Sequence, residues 1–325
     1  MDSVTSATAV SKASTLDPEG RVIPLTLRTY WRAAASISSG VAAGSRPLSS
    51  VMFRHMDTTI GAQQGCGYGE RMSTATDVLL IDTTDRIRTL TLNRPGSRNA
   101  LSAALRGRLF EALREAQADD DVDVVILTGA DPVFCAGLDL KELGDTTELP
   151  DISPKWPPMD KPVIGAINGA AVTGGLEIAL YCDILIASEQ ARFADTHARV
   201  GLMPTWGLSV RLPQKVGVGM ARRMSMTGDY LSADEALRCG LVTQVVPHAE
   251  LLDTARQIAT SIVGNNQNAV RALLASYHGI DDAQNGAALW QEAAAAREWM
   301  KSASGDDIAA SRSSVMDRGR TQVRQ

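Results

Sequence analysis

The chain has 325 residues, 44% of them hydrophobic, and carries 37 acidic against 32 basic side chains for a net charge of −5. That length holds one large domain or two modest ones around a real core, and an acidic balance without a long basic run excludes a surface that tracks a phosphate backbone, so no nucleic-acid partner is expected. The four cysteines, Cys66, Cys135, Cys182 and Cys239, stand far apart with no paired spacing, which points to reduced thiols and a cytoplasmic setting rather than a disulfide framework.

Residues 1–71 differ from the rest. Ser, Ala, Thr, Gly and Arg dominate and no apolar periodicity lasts, so a disordered extension is expected. The segment holds seven basic and five acidic residues, a balance of +2 that leaves −7 on the rest of a chain whose total is −5. It has neither the apolar core of a signal peptide nor a sustained amphipathic helix, and Met72 is the expected natural start.

From Asp77 the pattern sharpens. VLLID, a polar TTD turn and RIRTLTLN alternate as two paired strands do. Ser102 is placed to cap a helix in which Leu105, Leu109, Leu113 and Ala116 share one face. VDVVILTG then reads as a short buried strand.

Between 162 and 182 the sequence runs PVIGAINGAAVTGGLEIALYC, and Glu177 is its only charged side chain. The window out to 186 holds four glycines, Asn168, Glu177 and Asp183, so it breaks into strand, turn and helix and does not form a membrane span. A helix is expected from about 174, followed by the buried strand DILIAS. Strands alternating with helices define an α/β architecture. Beyond 208 the chain reads as helical: Ser232 and Glu235 have capping-box spacing with Gly240 as a stop, further helices are expected at 249–263 and about 281–302, and the tail from 303 is expected to be loose. The expected division is 72–245 for the core and 246–302 for a helical C-terminal region.

Three segments, FCAGLDL, INGAAVTGGLEIALYCDILIAS and ARFADTHARVGLMPTWGLSVRLPQKVG, occur in this order in a chain that resembles the crotonase, or enoyl-CoA hydratase/isomerase, family over roughly 77–302. The resemblance implies a spiral of β-β-α units with a helical C-terminal region, an acyl-CoA substrate, no separate cofactor or metal, and assembly as a homotrimer or a dimer of trimers. It also implies an oxyanion hole made by the backbone N–H groups of Leu138 and Gly174, which would hold the thioester oxygen as negative charge develops on it. Ala136 and Asp139 flank that loop, with Asp139 expected chiefly as a cap and secondarily near the adenine end of CoA. Arg98 is placed either against a CoA phosphate or in solvent, and Trp206 either lines the acyl pocket or fills the core.

In this family the first glutamate of the pair that handles water falls on Glu177. Burial among apolar neighbours is expected to raise its pKa toward a working acid–base value; the competing role is that of a first-turn acid favoured by the helix dipole. The second glutamate of typical hydratases lies twenty positions on, where this chain has His197. An imidazole with an ordinary pKa near 6.5 can serve as auxiliary proton donor or tune Glu177, or simply line the pocket wall. Asp195 is the other carboxylate within reach.

Rival chemistries lack their residues. No G-x-S-x-G elbow is present, His55, His197, His248 and His278 are isolated and the cysteines unpaired, and VGVGMAR has Arg222 where a dinucleotide fingerprint needs its third glycine. The expected activity is hydration of a 2-enoyl-CoA. Isomerase, decarboxylase, thioester hydrolase and binding-only roles share the same oxygen-binding architecture.

Overall fold

In the computed structural model, residues 77–139, 141–142 and 156–301 are described; the expectations for 1–71 and for the tail from 303 fall outside them. Strands β1 (Leu79–Thr84) and β2 (Ile87–Leu92) form the expected hairpin. Its register pairs Thr84 with Ile87, so the turn is the two-residue Asp85-Arg86, both at positive φ (51° and 64°), as a tight hairpin of this twist requires. The TTD stretch thus contributes two residues to β1 rather than a three-residue loop.

Helix α1 (Ala103–Ala118) starts at Ser102, whose hydroxyl accepts the Leu105 N–H. Strands β3 (Val124–Gly129), β4 (Val163–Ile167) and β6 (Ile184–Ser188) then line up in parallel beside β2, and β9 (Gln244–Val246) closes the sheet in the order β1-β2-β3-β4-β6-β9. Alternate residues of these strands serve two cores. Val125, Leu127, Val163, Ile167 and Leu185 face a large cluster that includes Leu105, Leu109 and Leu113 of α1. Val124, Ile126, Ile164, Ala166 and Ile186 face a smaller cluster closed by Leu251, Ala255 and Ala259, which sit one turn apart on helix α7 (Leu251–Val263). A sheet covered on both faces explains why β3 and β4 read as unbroken apolar runs.

The site is positioned by a repeated step. After β4 the chain passes Asn168-Gly169 into β5 (Ala170–Val172) and then helix α2 (Gly174–Leu180). After β6 it passes into β7 (Arg192–Ala194) and then helix α3 (His197–Val200). Each step gives one strand to the six-stranded sheet and one to a second sheet of order β5-β7-β8, where β8 is Leu231–Ser232. Two successive turns of this β-β-α spiral therefore lay the starts of α2 and α3 side by side, with β5 parallel to β7.

Helices α4 (Leu208–Val216), α5 (Val218–Thr227) and α6 (Ala233–Arg238) follow. Ser232 and Glu235 form the expected capping box, and Gly217 stands at the start of α5. The last helix is longer than expected: α8 runs from Gln267 to Met300 with Asn266 as its cap. Gly279 and Gly286 interrupt its propensity in the sequence, yet a Cβ at either would meet nothing within 4 Å, so neither is required by close packing in a continuous alanine-rich helix. No helix among the described residues is long and apolar enough to cross a membrane.

Candidate active site

The first wall is backbone. Cys135 N–H donates to Ala170 O and Val172 N–H donates back to Cys135 O, both at 2.9 Å, so the 135–138 segment runs beside β5 toward the start of α2. Gly137 turns there with φ +92°, and a Cβ on it would stand 2.9 Å from Val172 O; only glycine fits. A Cβ on Gly174 would lie 3.5 Å from Leu138 N and 3.6 Å from Gly137 Cα, which places the two expected donors together. Among the described residues neither the Leu138 nor the Gly174 N–H has a hydrogen-bond acceptor. Between them Thr173 holds φ 54°, ψ −114°, a conformation rare for a β-branched residue. Its N–H donates to Ala194 O at 2.9 Å and its hydroxyl contacts that of Thr196 at 2.6 Å, so the neighbouring turn of the spiral holds the strained residue in place.

The second wall is ionisable. Glu177 is 3% exposed on α2, and its Oε1 accepts the backbone N–H of Trp206 at 2.8 Å. Its Oε2 lies 3.6 Å from His197 Nε2, an ion-pair contact longer than a direct hydrogen bond. On the other side of the ring, Nδ1 stands 2.7 Å from Asp195 Oδ1, which also accepts the His197 N–H at 3.1 Å. Asp195 therefore acts both as a cap and as the group that orients the ring. An ionised carboxylate only accepts, so Nδ1 carries a proton and Nε2 is the nitrogen presented to Glu177.

Burial pushes the Glu177 carboxyl up to about 7, against the pull of the His197 charge and the Trp206 N–H, a difference of roughly 3 kcal/mol between its protonation states. His197 is held above its ordinary value: burial works against its charge, but the Asp195 hydrogen bond and the Glu177 and Asp195 charges outweigh it. Asp195 sits below the usual carboxylate range because the His197 hydrogen bond and charge overcome its own burial. Both groups sit above their ordinary values and face each other, so their titration belongs to the pair.

The remaining expected residues divide. Ala136 donates its N–H to Arg98 O at 3.1 Å, so Arg98 supports the 136–138 segment through its carbonyl while its side chain is exposed. Asp139 is taken up by Arg94, whose Nη1 is 2.9 Å from Oδ2, and by the Lys141 N–H at 3.2 Å, which fits its expected part as a cap. Trp206 is 3% exposed and packs edge-on against Phe110 in the large core cluster. Its ring is core, and its backbone N–H is the group that reaches the site. That donor escaped the sequence because a backbone N–H has no residue identity. Glu292, an isolated acid in the alanine-rich stretch WQEAAAA, also reaches this neighbourhood, and its lone charge was the available signal. No cluster of three or more His, Cys, Asp or Glu side chains able to hold a metal exists among the described residues.

A backbone corner at the start of α2 and a buried carboxylate–imidazole pair, carried on successive turns of a β-β-α spiral, define an acid–base enzyme of crotonase type. The chain belongs to the enoyl-CoA hydratase/isomerase family, whose model matches residues 82–306. A probable peroxisomal enoyl-CoA hydratase of Arabidopsis thaliana is 44% identical over 191 residues, 57% of this chain and 72% of that protein. A short-chain-enoyl-CoA hydratase of Clostridium acetobutylicum is 37% identical over 203 residues, 59% of this chain and 78% of that protein. The crystal structure of an enoyl-CoA hydratase from Mycobacterium avium is 76% identical with a TM-score of 0.67, spanning 71% of this chain and all of that one.

Proposed function

We infer that this protein is an enoyl-CoA hydratase, adding water across the 2,3-double bond of a 2-enoyl-CoA thioester. The observation that carries the reading is the buried contact between Glu177 Oε2 and His197 Nε2, 3.6 Å apart, with the Trp206 N–H holding the carboxylate and Asp195 orienting the ring, which sets a base and an acid side by side. The thioester oxygen takes the Leu138 and Gly174 N–H groups, an oxyanion hole in which each donor contributes ~2.7–4 kcal/mol as charge develops. Glu177 takes a proton from water as its oxygen bonds to C3. The π electrons move toward the thioester as an enolate, and the His197 imidazolium returns a proton to C2. Glu177 is then protonated and His197 neutral, and transfer across their contact restores the starting state. No electrons are gained or lost, so no redox cofactor enters the balance.

Residence in a reducing cytoplasm and assembly as a homotrimer or pair of trimers belong to the same proposal. Cys135 and Cys182, free and buried, support the first; Leu273, Tyr277 and Ile280, more than half exposed on α8, support the second. The activity is tested with a short 2-enoyl-CoA in oxygen-18 water. Loss of conjugated absorbance with the label at C3 of a 3-hydroxyacyl-CoA is expected. A migrated double bond, free CoA, released carbon dioxide or binding without turnover would each overturn it.

A further inference from the structure

The C-terminal helix α8 touches the end of α3, which carries His197, and the turn whose N–H donates to Glu177. Trp299 Nε1 donates to Gly201 O at 2.9 Å, at the end of α3 just beyond His197. Seven residues before Trp299 on the same helix, Glu292 is only 6% exposed, and a buried carboxylate needs partners to offset its lost hydration. It finds three. Oε1 accepts the Gly207 N–H at 2.6 Å, and Oε2 accepts the Ser209 N–H at 2.7 Å and the Ser209 hydroxyl. The Gly207 N–H is adjacent in the chain to the Trp206 N–H that donates to Glu177 Oε1 at 2.8 Å. Consecutive backbone donors are therefore held by two carboxylates from distant parts of the sequence. Gly207 turns at φ +85°, and a Cβ there would press on Leu289 Cδ2 at 2.9 Å, so α8 is packed directly against this turn.

We propose that Glu292 is a positioning residue for hydration: by gripping the Gly207 and Ser209 donors it fixes the 206–209 turn, and so keeps the Trp206 N–H aimed at Glu177. The proposal rests on the reading of Glu177 as the base. Loss of the grip leaves Glu177 free to rotate away from water and from His197 without disturbing the donors that bind the thioester oxygen. The defect belongs in kcat rather than KM. The groups that face Glu177 are His197 and Asp195 around the start of α3, Tyr181 on α2 with Arg211 of α4 over its ring, and Glu292 itself. Two effects of removing Glu292 oppose each other there: its charge raises the Glu177 pKa, whereas the Trp206 N–H lowers it, and the N–H is the larger influence.

The test is the pH profile of hydration by full-length wild type, Glu292→Gln, Glu292→Ala and Glu177→Gln, with folding followed by thermal melting. A hydrogen bond to a charged group of this kind corresponds to roughly 10- to 100-fold in rate. Glu292→Ala is expected to lose about that much kcat with KM within about threefold, and its acid limb is expected to move to higher pH as the Trp206 N–H is released. Glu292→Gln, which keeps the length and one acceptor oxygen, is expected to recover part of the loss. A folded Glu292→Ala that keeps kcat within about twofold, or whose acid limb moves to lower pH as for a bare charge, overturns the proposal. If Glu292→Ala does not fold, an unchanged kcat in Glu292→Gln overturns it, and failure of both to fold makes Glu292 a packing residue, which also overturns it. Inactive Glu177→Gln beside any of these confines the failure to Glu292, whereas active Glu177→Gln defeats the reading of the base itself.

Discussion

Gly174→Ala separates fold from function at one atom. The added methyl would lie 3.5 Å from Leu138 N, 3.5 Å from Leu101 Cδ1 and 3.6 Å from Gly137 Cα, all ordinary contacts, so nothing in the core has to move. Gly174 opens α2 with no positive φ, and alanine there gains up to about 1 kcal/mol from helix propensity, a change of roughly 2–4 °C in Tm for a domain of this size. The same methyl stands against the Leu138 N–H, which we propose holds the thioester oxygen, and would compete with that oxygen for it. Removal of one such donor costs on the order of 100- to 1,000-fold in kcat. Following loss of enoyl-CoA absorbance beside a thermal melt, the variant is expected to melt at or slightly above the wild-type temperature with turnover lower by about that factor. Wild-type turnover in Gly174→Ala, or a fall in activity matched by a fall in Tm, would refute the placement of the oxygen between residues 138 and 174.

Other outcomes follow from the same geometry. Since Glu177 must be ionised and sits at about 7, kcat/KM is expected to fall as pH drops through that value. His197 must be protonated and is held above its ordinary value, so an alkaline limb is expected above the pH of an ordinary histidine; a flat profile would contradict the paired base and acid. Asp195→Asn removes the charge that helps raise His197 and leaves only a neutral acceptor for its Nδ1–H, and the alkaline limb is expected to shift to lower pH, which a limb left in place would refute. Gly175→Ala is the structural counterpart of Gly174→Ala: its methyl would come 2.3 Å from Cys135 O, so Tm is expected to drop by several degrees, reflecting roughly 1–3 kcal/mol of overpacking.

What the sequence revealed was what neighbouring residues decide. The β1–β2 hairpin, the Ser102 cap, the Ser232–Glu235 box and the two-faced β3 strand each depend on patterns a few residues long. Gly174, Glu177 and His197 were legible through the crotonase resemblance of the segments that hold them, and Glu177 also as the lone charge in an apolar stretch. The missing parts are long-range and partly made of backbone. The Trp206 N–H reaches Glu177 across 29 positions and Glu292 reaches Gly207 across 85. Trp206 itself was visible only as an aromatic side chain, which packs against Phe110, while its N–H carries the role. The length of α8 was hidden by Gly279 and Gly286, where the helix continues at a small local cost.

The most direct test of the central claim is kcat for hydration of a short 2-enoyl-CoA by Glu177→Gln, measured beside its affinity for a non-reactive acyl-CoA. The amide keeps the shape and an acceptor for the Trp206 N–H but cannot take a proton from water, and loss of a general base is expected to lower kcat by at least ~100- to 10,000-fold with acyl-CoA affinity unchanged. Turnover within about tenfold of wild type would mean that Glu177 is a buried structural acid and that the water is activated elsewhere.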